Sequence, residues 1–234
     1  NTVGYYDAFS LKTITKDSSN VVTRWNDKLG SGNDFVAGSC GWDKDKGMTF
    51  NGIDQYLRTP EFLVNMPLIV YLIYNNQNIK LYGHVLDSAG TLNGSRFHVN
   101  EGNHQFYTMG TSGSARIFTA NYTCGARCVI RLVYNFTQSQ TKYDDWGSLI
   151  GISNVASTQG FTLGASRYLE NFNDMNLQAA IFRTSLDNEE EIYSELKRRF
   201  DRDTFDNGKV IFTWDGNIVT IVNGLNILYD RGKT

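Results

Sequence analysis

The sequence predicts an all-β fold of two antiparallel sheets packed face to face, followed by one short helix and a three-stranded meander. Three observations carry that expectation. Apolar residues come in short runs separated by polar, Gly-containing gaps, the pattern of many strands rather than of long helices. Aromatic residues are abundant, with 14 Phe, 13 Tyr and 4 Trp, and such side chains fit a pleated, half-buried surface. Only 2 Pro accompany 22 Gly, so the turns fall to Gly, Asn and Asp, which suit turn conformations. No segment repeats at a period that would indicate a solenoid or propeller.

In chain order, strands are expected at Met48–Phe50, Gln55–Leu57, Leu68–Tyr74, His84–Leu86, Arg96–Val99, Gln105–Met109, Ala115–Thr119, Val129–Tyr134, Phe161–Leu163 and Leu177–Phe182. Leu68–Tyr74 reads Leu-Ile-Val-Tyr-Leu-Ile-Tyr without a polar residue. Successive strand side chains point to opposite faces, so this strand must be covered on both. A helix is expected after Asp187, which can cap it, with Glu190 as the capping-box partner. Glu189–Glu191 open it and Lys197, Arg198 and Arg199 close it, complementing the helix dipole. Ile192, Leu196 and Phe200, four apart, form its apolar stripe. Beyond it, Asp215-Gly216 and Asn223-Gly224 are hairpin turns that divide residues 209–229 into three strands. Val210, Phe212 and Trp214 alternate against Ile211, and Ile218 against Val219, so both faces of the meander call for a cover.

The balance of 22 basic against 24 acidic residues supplies no positive field for a phosphate backbone, so no nucleic-acid partner is expected. The longest apolar stretch, Phe62–Tyr74, is interrupted by Asn65 and Pro67 and is too short for a membrane-spanning helix. Cys40, Cys124 and Cys128 allow at most one internal disulfide, and free thiols are the favoured expectation. Asn93, Asn121 and Asn135 open glycosylation triplets. The chain begins at Asn1 with no signal peptide, which suggests a processed product or a segment of a longer protein.

Tyr5-Tyr6-Asp7-Ala8, with Leu11, Ile14 and the run from Trp25 to Asp34, resembles the opening of concanavalin A-like, laminin G-like domains. Met48–Leu57 is similar to that superfamily's aromatic-Asn-Gly…Tyr-Leu strand pair. Phe161–Ser166 resembles its late strand, and Leu177–Phe182 with Leu186 and Glu189–Leu196 its closing strand and helix. The resemblance spans Tyr5 to Phe200. It implies a jelly-roll sandwich over residues 1–204, a place for Trp25 in the core, and a context in bacterial surface, phage or viral structural proteins. Residues 205–234 then form an extension expected to serve docking or assembly. Gln178 stands where the superfamily usually has Glu, so a metal carry-over does not follow. No cofactor is expected. Asp144 and Asp145 leave calcium open, without a full ligand motif.

Function divides into three classes. The carboxylate pairing of glycosidases, about 5 Å apart in retaining enzymes, finds only Glu170 and Asp174 at a spacing that does not match, and the Gln-x-His pattern of lyases is missing. His84 with Tyr82 and Asp87 is a weak imitation of a proton-transfer set. No catalytic residue is therefore assigned. A glycan site needs an aromatic face for the sugar's C–H side and fixed polar partners. Trp42 beside Asp43, and Asp145 beside Trp146, both read as polar loops, are the candidate ligand-binding residues. The expected function is a non-catalytic surface module for glycans or cell-surface receptors, extracellular or on a cell or virion surface. The alternatives are a purely structural capsid or fibre decoration without glycan binding, and a glycosidase or lyase. Neighbouring subunits or another structural protein are expected through residues 209–229.

Overall fold

The structure, a computed structural model, describes residues 2–78, 83–90, 94–100, 103–109, 115–120, 128–135, 138–143, 148–152, 157–200, 209–214, 217–222 and 226–228; side chains are described at 2–78, 83–90, 128–135 and 157–197. Two compact units comprise Asn1–Tyr193 and Ser194–Thr234. The division falls inside the helix, whereas the sequence places the joint at 204.

The first unit is an antiparallel sandwich, with strands numbered in chain order. Its eight-stranded sheet runs β16 (Ser148–Ile152), β15 (Gln138–Tyr143), β14 (Cys128–Tyr134), β9 (Leu68–Asn78), β19 (Asp174–Arg183), β6 (Gly47–Asn51), β5 (Gly41–Asp43). Strand β1 (Thr2–Asp7) also pairs β19. The nine-stranded sheet runs β13 (Ala115–Ala120), β12 (Asn103–Met109), β11 (Gly94–Asn100), β10 (Gly83–Asp87), β18 (Thr162–Leu163), β7 (Tyr56–Arg58), β4 (Phe35–Gly38), β3 (Val22–Trp25), β2 (Ile14–Lys16). A small pair joins β8 (Leu63–Asn65) to β17 (Ser157–Gln159).

Strand β9 shows why the apolar run had to be central. Leu68, Val70, Leu72 and Tyr74 belong to the core cluster between the sheets. Ile69, Tyr71 and Ile73 are equally buried on the opposite face. Helix α1 (Glu189–Phe200) contributes to that second cover: Tyr193 donates its hydroxyl to the Val129 carbonyl at 3.3 Å, and Tyr71 donates to the Glu189 carbonyl at 3.4 Å.

The core's aromatic centre joins Tyr6, Trp25, Phe35, Phe161 and Phe182, with the last pair stacked at 3.8 Å. Trp25 is fully buried, as the resemblance implies. The neighbouring motif is a strap. The Asp27 carboxylate accepts from the backbone N–H of Tyr5 at 2.7 Å, Leu29 at 3.2 Å and Ser31 at 3.0 Å. Asp34 in turn accepts from the Asp27 N–H at 2.9 Å. These bonds tie β1 to the turn after β3 and explain why carboxylates stand at both positions.

Four expectations are corrected. Asp187 does not cap the helix through its carboxylate, which accepts a hydrogen bond from the Ser185 hydroxyl at 2.6 Å. Glu190 is not a capping-box partner either; it accepts from the Arg131 guanidinium at 2.9 Å. In the helix Tyr193 and Leu196 are buried, so Leu196 of the expected stripe is covered, while Ile192 is only half-buried. Cys128 is disulfide-bonded rather than free; Cys124 lies outside the described residues. Cys40 is a free, buried thiol.

The second unit contains the expected meander: β20 (Lys209–Trp214), β21 (Asn217–Val222) and β22 (Asn226–Leu228) pair antiparallel as a sheet of their own.

Candidate functional site

The outward face of the eight-stranded sheet divides into two chemically different halves. On β9, β14 and β19 the outward positions Ile69, Tyr71, Ile73, Val129, Val133 and Ala179 are apolar and buried on the side away from the inter-sheet core, with the buried Arg131 set among them opposite Tyr71. Toward the opposite strand ends the outward positions turn polar, with Asn75 on β9, Asn176 on β19 and Thr49 on β6.

Two buried ion networks flank the sandwich, and sequence reasoning missed both. Arg131 is 2% exposed on β14, and its Nη1 donates to the carboxylates of Glu189 and Glu190 at the helix start. Its guanidinium also lies 5.6 Å from the Tyr193 ring centroid. Burial, with the Glu189 carboxylate as a second cause, pushes the Tyr71 phenol up to about 12. The signal in the sequence was a lone Arg within the apolar run 128–134, where a buried charge demands a partner.

The second network is Asp87 with Arg167, both side chains wholly buried. Asp87 Oδ1 accepts from Arg167 Nε at 3.1 Å and Nη2 at 2.8 Å, and Oδ2 accepts from the Arg167 backbone N–H at 3.0 Å. Arg167 Nη1 reaches the Gly90 carbonyl at 3.3 Å. This pair fastens the end of β10 to the loop after β18.

Trp42 lies on β5, not in a loop, and packs against the core from a half-buried position. Its indole Nε1 donates to the Ala8 carbonyl at 2.7 Å, and the Lys16 ammonium sits 3.7 Å from the ring centroid over one face. Asp43 accepts from the N–H groups of Asp45 at 2.8 Å and Lys46 at 3.0 Å. Those backbone bonds, first the one from Asp45, hold its carboxyl below the usual range. Asp144, Asp145 and Trp146 lie outside the described residues. His84 is buried on β10, Asp174 accepts from the Asn78 amide, and the Glu170 backbone carbonyl accepts from the Ser166 N–H at 2.9 Å. Among the described residues no group of three or more His, Cys, Asp or Glu is placed to hold a metal ion.

No protein-family model and no curated protein matches the sequence. Solved structures do match. The botulinum neurotoxin serotype G binding domain superposes with TM-score 0.65 at 7% identity, over 95% of this chain and 62% of that one. The receptor-binding domain of the mosaic serotype C/D toxin gives TM-score 0.57 at 11% identity, over 94% and 61%. Domain 4 of AbnA, an extracellular arabinanase from Geobacillus stearothermophilus solved with arabinotriose, gives 0.55 at 10% identity, over 78% and 91%. The chain thus spans about three-fifths of the toxin binding-domain chains. These likenesses are of fold.

Proposed function

We propose that this chain, whose fold is concanavalin A-like and laminin G-like, is a non-catalytic surface module that binds glycans or cell-surface receptors. The carrying observation is how its carboxylates are used. Asp87, which a proton-transfer reading would need, has both oxygens on Arg167. Asp174, half of the nearest imitation of a glycosidase pair, accepts from the Asn78 amide. Groups held this way stabilise loops and strand ends rather than waiting for a sugar. Neighbours of the same fold named as receptor-binding domains, and one solved with arabinotriose, support the reading. An extracellular, cell-surface or virion-surface location accords with it; among the described residues no helix is long and apolar enough to cross a membrane.

The sequence-derived contacts remain Trp42 with Asp43, and Asp145 with Trp146. A sugar stacking on the lysine-covered face of Trp42 would have to displace Lys16. The test is a glycan array followed by titration, with incubation on the same polysaccharides to detect released reducing ends. Micromolar binding without product is the expected result. Turnover abolished by Glu170→Gln or His84→Ala would overturn it.

A second reading, as a structural decoration module, is favoured by the separate three-stranded sheet. Its outer strands β20 and β22 each have one neighbour in that sheet, and unpaired strand edges are a natural template for docking. Assembly through residues 209–229 and glycan binding are compatible.

A further inference from the structure

We propose that Asn135 is a site of N-linked glycosylation, and that the chain matures in an oxidising lumen where that sugar is attached. The motif is the acceptor triplet Asn135-Phe136-Thr137, which the binding function proposed above leaves unused. Strand β14 shows why the triplet stands where it can serve. All seven residues from Cys128 to Tyr134 are buried. The strand is paired on both sides, with β9 and β15. One face belongs to the inter-sheet core, and helix α1 reaches the strand through Tyr193, which bonds the Val129 carbonyl. Asn135 is the first residue past the strand and the first after those seven that is not buried; it is half-buried and outside any strand. One residue earlier, at Tyr134, a sugar would have to enter the core. At Asn135 the chain has left the buried strand on its way to β15. A glycan is bulky and hydrated and belongs at such a surface position. Phe136 and Thr137 lie outside the described residues, as do Asn93 and Asn121 of the other two triplets.

An independent observation comes from the other end of the same strand. Cys128, its first residue, is disulfide-bonded. Of the three cysteines in the sequence, Cys40 is a free thiol, which leaves Cys124 as the partner within the chain. Disulfides form and persist in oxidising compartments such as the endoplasmic reticulum lumen, whereas cytosolic thiols are kept reduced. Acceptor triplets of secreted proteins receive their sugar on the same route. Strand β14 thus carries at its two ends the acceptors of two modifications made in one compartment. Among the contexts that the resemblance implies, this selects a eukaryotic cell, or a virus matured in one, over a bacterium or phage.

In the glycan transfer, Nδ2 of Asn135 forms a bond to the anomeric carbon of an oligosaccharide carried on a lipid pyrophosphate. The bond from that carbon to the pyrophosphate oxygen breaks. The lipid pyrophosphate leaves with the electron pair and takes up the proton lost from Nδ2. In the oxidation, Cys124 and Cys128 give two electrons and two protons to a donor disulfide, which departs as two thiols. This chain supplies only the acceptors, and the host's enzymes catalyse both steps. The fold accommodates the product because the sugar begins beyond the ladder of β14 and β9, whose end pair is Tyr134 with Leu68.

The test is production of the whole chain behind a cleavable leader in eukaryotic cells, with product collected from the lumen and the medium together. A peptide N-glycosidase leaves Asp wherever a glycosylated Asn stood. After that treatment the tryptic peptide 132–142 should carry the mass of Asp at position 135, and without it the bare peptide should be missing. Thr137→Ser should keep the modification, while Thr137→Ala and Asn135→Gln should abolish it. Alkylation of the denatured, unreduced protein should leave Cys128 unlabelled. Wild type and Asn135→Gln should melt alike. An unmodified 132–142 peptide, or sugar at Asn93 or Asn121 alone, would overturn the site. Sugar at Asn135 confined to aggregated chain, beside a folded fraction without it, would also overturn the site, since the fold would then reject the glycan. A Cys128 thiol open to alkylation without reduction would overturn the oxidising compartment. None of these outcomes bears on what the chain itself binds, so the binding function is tested separately.

Discussion

Gly164 and Cys40 show how single positions acquire meaning only from what surrounds them. Gly164 has φ +81°, and a Cβ there would stand 2.5 Å from the Phe50 ring. A side chain is therefore strained twice, by backbone conformation and by collision with the core. Gly164→Ala should cost about 1–3 kcal/mol, read as a lower midpoint in a urea melt at unchanged slope. Cys40 is buried, and that burial pushes its thiol up to about 12. A folded-state value raised above the unfolded one gives stability that is complete below about pH 9 and lost as pH rises toward 12. Native protein at pH 8 should leave Cys40 unmodified by a thiol reagent, whereas unfolded protein should react; rapid native labelling would contradict its burial.

Among the elements, β9 and its helix cover invite direct measurement. Ile69 and Ile73 face away from the inter-sheet core yet are 0% and 1% exposed. Truncating either to Ala should cost about 2–5 kcal/mol; a negligible change in a denaturant melt would mean that this face is uncovered. Helix α1 begins on Arg131, and its two acidic partners differ in setting: the Glu189 side chain is 10% exposed and that of Glu190 65%. Glu189→Gln should therefore destabilise clearly more than Glu190→Gln, whose exposed ion pair is worth under about 1 kcal/mol. A comparison of the two melts at low and high salt checks the order. The helix was legible from its acidic start and basic end, but its anchoring was not. Tyr193 and Arg131 acquire partners far away in the chain, which a 3.6-residue period within one element does not record.

At the scale of the whole chain, the open question is what residues 209–229 do. Truncation after Asp203 removes the three-stranded sheet and retains the sandwich strands. The shortened chain should keep its β-rich circular dichroism and lose self-association or incorporation into a larger assembly. Unfolding, or unchanged assembly, would end the docking reading. By itself the sequence determined the strand-rich sandwich, the central place of Leu68–Tyr74 and the meander, because strand alternation, turn dipeptides and uninterrupted apolarity are local; the core place of Trp25 came from the resemblance. It did not reveal Gln138–Tyr143, whose polar run carries no strand signal, nor the short strand holding Trp42. Tertiary structure alone decided which polar residues share a face. Asn75, Asn176 and Thr49 are scattered along the chain and become neighbours only when β9, β19 and β6 pair in register. It also decided that Asp87 belongs to Arg167, since a buried charge is matched by whichever partner the fold brings within reach, and that distance is not written in sequence order.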